Sequence, residues 1–181
     1  MAAEGLSFTR AISHATTTTP PFTNILTGRY AFEHGVRTHS GAKLNPGIRT
    51  LPELLREAGY FTRAEVTGPL GPEIGLTRGF DEYHHRDRRQ SENTGWGVEF
   101  LSGLGKMRAP WFTLLHIWGL HRNRQVLPEC RNSACGATTY GRALSSVDLF
   151  LGRLLGALPE NTLVALTGDH GEEISRGAWD E

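Results

Sequence analysis

From Tyr140 to Leu158 the apolar positions fall at Tyr140, Leu144, Val147, Leu151, Leu154 and Leu158. Steps of three and four place them on one stripe, which predicts a long amphipathic helix. Denser apolar runs flank it. "APWFTLLHIWG" predicts a buried strand over Trp111–Gly119, and "ENTLVALTGDHG" another over Thr162–Thr167. A helix joining two buried strands predicts a mostly parallel sheet covered on both faces, a three-layer α/β/α domain.

Upstream the pattern is shorter. "LSFTRAI" alternates and could form a strand. In "TTPPFTNILTG", Thr18 or Thr19 suits a helix N-cap and Pro20 and Pro21 the first turn. Phe22, Ile25 and Leu26 share a face, and Gly28 ends the helix. "TLPELLREAGY" repeats the grammar. Thr50 caps, Pro52 sits in the first turn, Leu51, Leu54, Leu55 and Ala58 form the apolar face, and Gly59 stops it. The glycine- and proline-rich stretch 67–79 reads as loop.

Composition narrows the function classes. The 181 residues carry 19 Lys+Arg and 19 Asp+Glu, a formal net charge of zero. That gives no electrostatic case for nucleic acid or an anionic membrane surface. With 38% hydrophobic residues, 22 Gly and 9 Pro, the chain reads as one soluble, loop-rich globular domain. It has no apolar stretch of membrane-spanning length and no signal-peptide pattern, so the expectation for the chain as given is cytoplasmic. Both ends read as cut through a longer protein. Cys130 and Cys135 are too few for a disulfide framework. An inert loop pair is expected, with a small loop disulfide or half a metal site as the alternatives.

Ligands of α/β sheets bind beyond the carboxyl ends of the strands, and two predicted strands deliver polar groups there. One ends in Asp169 and His170, a carboxylate and an imidazole suited to a hard or borderline cation. Neighbours on a strand point opposite ways, so the chain has to turn at Gly168 or Gly171 for both to reach one ion. The plainer alternative makes Asp169 a turn cap and His170 a solvated loop residue. The other strand carries His116, read as a satisfied core histidine, and leads to His121 in a polar loop, the better candidate for touching a substrate. Threonines 16 to 19 stand before a helix start. Taken alone they read as capping and loop residues, although a hydroxyl beside a helix N-terminus and a metal can become a nucleophile.

Several segments, in order, resemble the sulfatase branch of the alkaline-phosphatase superfamily. They are "AAEGLSFTRAIS", "TTPPFTNILTGRYAFEHGV", "TLPELLREAGYFT", "GLTRGFDEY", "FTLLHIWGLHRN" and "YGRALSSVDLFLGRLLGALPENTLVALTGDHGEE". The resemblance spans nearly all of the chain and implies one partial sulfatase-like domain over residues 1–181. It implies a metal-dependent hydrolase or transferase of sulfate- or phosphate-type esters, acting on a small-molecule, glycan or lipid ester. The family's signature nucleophile lies nine positions before the threonine of Thr-Gly, which counts back from Thr27 to Thr18. The resemblance implies that Thr18 attacks the substrate and touches the metal, that Asp169 and His170 ligate it, and that His121 faces the substrate. The divalent ion could be calcium, manganese, zinc or magnesium.

The sequence departs from that pattern in places. Threonine cannot be oxidised to the formylglycine of aldehyde-type sulfatases. Phe22 stands where the signature arginine would be, and "GYFTRAEVTG" lacks the lysine that often follows Gly-Tyr. These departures favour a phosphate-type over a sulfate ester. The family's first strand, with its acidic metal ligands, has no counterpart ahead of "AAEG". The expectation is therefore weak metal binding and an incomplete sheet with an exposed edge. A non-catalytic remnant that keeps the fold is the alternative.

Overall fold

The computed structural model describes residues 4–87, 95–107, 110–121 and 125–172. Helices α1 (Thr19–Thr27), α2 (Ala31–His34) and α3 (Leu51–Glu57) precede strand β1 (Phe61–Thr67). Then come β2 (Glu82–Arg86), α4 (Gly95–Leu104), β3 (Trp111–Leu115) and the long helix α5 (Thr139–Ala157). The strands form a parallel sheet in the order β2-β1-β3. All three carboxyl ends therefore open on one side.

The two faces of the sheet differ. Thr62, Ala64 and Val66 of β1 face a core made with Phe22 and Leu26 of α1, Val36, Leu44, Leu70, Ile74, Leu76 and Phe80. On the opposite face β1 presents Arg63, Glu65 and Thr67, in register with Glu82, His84 and Arg86 of β2. Helix α4 covers this side. Its Phe100 and Leu104 pack with Phe150 of α5 in a second apolar cluster, which Trp96, Leu115 and Leu154 join. The expected layering of helices on both faces holds for the described residues.

Strand β3 realises the first half of the predicted Trp111–Gly119 strand. His116 N still donates to Glu65 O, but its carbonyl accepts from Arg86, and the chain leaves the ladder after it. Residues 162–167, expected as a strand, pair with no other strand among the described residues. Leu163 is 96% exposed and Leu166 60%. Apolarity signals a demand for burial, but a strand also needs an edge to pair with. The same holds for "LSFTRAI", where Leu6, Phe8 and Ile12 lie in solvent outside any strand. Along α5 the buried line is Ala143, Ser146, Val147 and Phe150, rotated from the predicted stripe, and Leu144 is exposed. Ser146 tolerates burial because its hydroxyl donates to Arg142 O and accepts from Leu127 N.

The start of α3 follows the predicted grammar. Thr50 Oγ1 accepts from Glu53 N (3.3 Å) and the Glu53 carboxylate accepts from Thr50 N (2.8 Å), a reciprocal capping box. Arg78 donates to the same carboxylate through Nε (3.2 Å) and Nη2 (3.0 Å). Gly79 makes this closeness possible. Its φ is +87°, and a Cβ there would collide with the backbone nitrogen of Glu53. The expected apolar face of α3 is not buried, however: Leu51 and Leu54 are exposed, and Pro52 is the residue packed inward.

Candidate functional site

Helix α1 begins one residue after Thr18, which occupies the N-cap position with both dihedrals already helical (φ −63°, ψ −48°). Its hydroxyl makes no capping hydrogen bond. The sequence explains why. An N-cap oxygen accepts from the second or third helical N–H, and those residues are Pro20 and Pro21, which have none. The two prolines also remove two of the donors that usually make a helix start attractive to anions. What is left there is the dipole and the amides of Thr18 and Thr19.

The freed hydroxyl turns to the far end of the chain. Thr18 Oγ1 lies 3.4 Å from His170 Nε2, and the residue is almost fully buried. His170 Nδ1 faces its neighbour's carbonyl, Gly171 O, at 2.7 Å. A carbonyl only accepts, so Nδ1 donates to it, and Nε2 faces Thr18. The Asp169 carboxylate comes within 3.5 Å of the same nitrogen. The segment is held against the N-terminal arm, where Ser13 Oγ donates to Asp169 O. A cleft of about 350 Å³ opens beside it, walled by Ile12, His14, Pro21, Asn24, Asp169 and His170.

A carboxylate oxygen, an imidazole nitrogen and a hydroxyl thus meet with separations of 3.4 and 3.5 Å. Ligands about 2.0–2.2 Å from one tetrahedral ion stand about 3.3–3.6 Å apart. Those two edges fit a small divalent cation. Among the described residues no cluster of three or more His, Cys, Asp or Glu side chains accompanies them.

Thr19 is spent differently. Its hydroxyl donates to Pro69 O (2.8 Å) and lies 3.5 Å from Nδ1 of the exposed His39. Further along α1, Thr23 and Thr27 donate back to the carbonyls of Thr19 and Thr23. His34, in the His-Gly pair of the signature segment, is structural. Val36 N donates to its Nδ1, which leaves the proton on Nε2 facing the Asn24 side chain at 2.6 Å. Burial pushes the His34 pKa down, against the neighbouring Glu33, so the ring stays neutral.

His116 is the buried histidine the sequence suggested. Its Nδ1 donates to Thr67 O (3.1 Å), and its ring meets Phe22 and Trp118 edge-on at 4.8 and 5.5 Å. Burial lowers its pKa to about 4; Asp169 acts in the opposite direction, and Arg86 and His121 add to the fall. His116 is therefore neutral near pH 7. His121 follows in the turn after β3, its ring stacked on Trp118 at 4.0 Å with 10° between planes. Gly68, in the loop after β1, comes so near Trp118 that a Cβ would be 2.5 Å from the indole. The carboxyl ends of β1 and β3 thus close around Trp118.

Sequence reasoning missed three contributors here. His39 and Ser13 lie in loops whose approach to the site leaves no local signal. Glu65 carries no signal of its own in "GYFTRAEVTG", yet it is fully buried.

Comparison with known proteins bears on this arrangement. No curated protein sequence matches the chain at a significant level. The fold matches the crystal structure of a phosphonate monoester hydrolase from Agrobacterium radiobacter with a TM-score of 0.60, at 14% identity over 80% of this chain. The match spans 50% of that structure, so the chain corresponds to about half of its length. The family model for sulfatases covers residues 1–180. With that coverage, and with its segments in the family's order on a sulfatase-like fold, the chain belongs to the sulfatase family.

Proposed function

We propose that this chain carries the nucleophile half of a metal-dependent hydrolase or transferase of sulfate- or phosphate-type esters, with Thr18 as nucleophile and phosphate-type esters preferred. The observation that carries the reading is the uncapped Thr18 hydroxyl, 3.4 Å from His170 Nε2. Membership of the sulfatase family and the structural likeness to a phosphonate monoester hydrolase support the reaction class. Asp169 and His170 would hold the divalent cation (calcium, manganese, zinc or magnesium), with Thr18 beside it. A bound cation makes a neighbouring hydroxyl more acidic and draws negative charge off the ester oxygens.

The chain's own residues do the rest. Pro20 and Pro21 keep the Thr18 oxygen out of helix capping, and the dipole of α1 favours negative charge on it. In the transfer step the Thr18 oxygen, having given up its proton, bonds to phosphorus or sulfur as the ester's leaving oxygen departs and takes up a proton. Water then cleaves the Thr18 ester and restores the hydroxyl. His121, its ring fixed against Trp118, is assigned to substrate contact. Phe22 packs in the core against His116, where an arginine would bring a charge. This suits an anion site that depends on the cation and on histidines.

The test is turnover of a chromogenic phosphate monoester, phosphate diester and sulfate ester by the full-length protein with added divalent metals. Thr18→Ala should reduce it at least about a thousandfold. Thr18→Ser should retain part of it, and Thr16→Ala and Thr17→Ala should retain nearly all. Full activity in Thr18→Ala would overturn the assignment. A well-folded wild type inactive on all three esters with every metal would favour a non-catalytic member that keeps the fold.

A further inference from the structure

The charged face of the sheet has a carboxylate at its centre. Glu65 Oε1 accepts from Arg63 Nε (2.9 Å), Arg63 Nη2 (2.6 Å) and His84 Nδ1 (2.6 Å). Oε2 accepts from Trp96 Nε1 (3.2 Å) and pairs with Arg86 Nε at 3.6 Å. The side chain is 1% exposed and that of Arg86 4%. The Arg86 guanidinium lies over Trp96, with Cζ 3.6 Å from the ring centroid. Its Nη2 reaches past the strand ends and donates to His116 O at 2.9 Å.

Stability alone does not account for this arrangement. A buried ion network is often no more stable than an apolar filling of the same volume, because desolvation offsets the attraction. Directional restraint is what it adds. A guanidinium set over one ring, with its charge beside a buried carboxylate and Nη2 donating to a carbonyl, is held in position. The carbonyl it grips belongs to the first residue after β3. Two other ties reach the same residue, and a third links β1 to β2 beside it. His116 N donates to Glu65 O (2.9 Å), His116 Nδ1 to Thr67 O (3.1 Å), and Thr67 Oγ1 to Arg86 O (2.9 Å). The ends of all three strands are laced together where the chain turns toward Trp118 and His121.

We propose that Arg86, oriented by Glu65 and Trp96, is a positioning residue. It fixes the backbone of His116 and so sets where the 116–121 turn presents its histidine to the substrate. The proposal deepens the functional reading above and rests on it for the word substrate; the restraint on the turn stands independently.

Two readouts test it in the full-length protein. The first is amide hydrogen exchange of Arg86→Lys, Arg86→Met and Glu65→Gln. Each should lose at least about tenfold of its protection at His116 and His121, whose amides bond to Glu65 O and Trp118 O. Protection of Ala64 and Val66 should stay within about twofold. The second readout is turnover of the ester that the wild type cleaves best. Here kcat should fall about tenfold in Arg86→Lys, with KM within about twofold, since lysine keeps the charge without the planar fork. Unchanged protection at His116 and His121 in the folded Arg86→Lys and Glu65→Gln variants overturns the proposal, as does uniform loss across the sheet. Should the wild type cleave no ester, the functional reading fails, and the exchange pattern alone decides whether Arg86 restrains the turn.

Discussion

Helices α1 and α3 start with nearly the same letters and use them in opposite ways. One begins Thr18-Thr19-Pro20-Pro21, the other Thr50-Leu51-Pro52-Glu53. At the second start the third helical residue is Glu53, which has an N–H to give Thr50 and a carboxylate to return to it. At the first that residue is Pro21, which has neither. Thr50 is consumed by its own helix, while Thr18 is left to reach His170. A single position decides whether a threonine holds a helix together or becomes available for chemistry.

The comparison can be broken from either side. Making α3 start like α1, with Glu53→Pro, removes the capping box and both bonds from Arg78. The expected loss is roughly 2–4 kcal/mol of unfolding free energy, measured by urea titration. Making α1 start like α3 is the reverse experiment. Pro21→Ala supplies a third-position N–H, and a cap bond worth about 1 kcal/mol would draw the Thr18 hydroxyl away from His170. Ester turnover should fall about fivefold, and an NMR or crystal structure of the variant should show the Thr18 oxygen facing the new backbone N–H. Unaltered turnover would show that the prolines do not control that hydroxyl.

Smaller effects sharpen it. Thr50→Ala should cost about 1 kcal/mol, whereas Thr18→Ala should leave stability within about 0.5 kcal/mol, because no cap is lost. The acid limb should also differ. Burial raises the Glu53 pKa, but bonds from Thr50 and Arg78 outweigh it and hold the carboxyl below its ordinary value. A depressed folded-state pKa contributes stability that is present above the ordinary carboxylate pKa and is lost as pH falls through the lowered one. Thr50→Ala, which weakens that set of bonds, should flatten the acid limb of a stability–pH profile. Thr18→Ala should leave it unchanged.

Strong, local patterns could be read from the sequence. The caps and prolines of α1 and α3, the apolar run of β3 and the period of α5 all marked real elements. Strands β1 and β2 did not stand out, because Arg63, Glu65, His84 and Arg86 break the apolar pattern of a strand. The burial of Glu65 and Arg86 is compensated by partners, most of them distant in sequence. The reverse error occurred at 162–167, where apolarity was plain and pairing absent among the described residues. At the candidate site, the Thr18 hydroxyl lies 3.4 Å from His170 Nε2, and the Asp169 carboxylate lies 3.5 Å from the same nitrogen. What the letters concealed was the role of Pro21 and the network behind His116.

The charged layer has a consequence for strand alignment. Side chains along a strand alternate between faces, so sliding β2 by one residue against β1 would put Tyr83 or His85 opposite Glu65 in place of His84. The same slip would turn Arg86 toward Ala64, Val66 and Leu70, in an interior with no counter-charge. An apolar pair of strands can tolerate such a shift at the cost of some packing. Here the shift would strand a cation in hydrocarbon and leave a buried carboxylate short of its donors, a penalty of several kcal/mol. The ionic layer thus acts as a registration key, excluding misaligned sheets that hydrophobicity alone would admit.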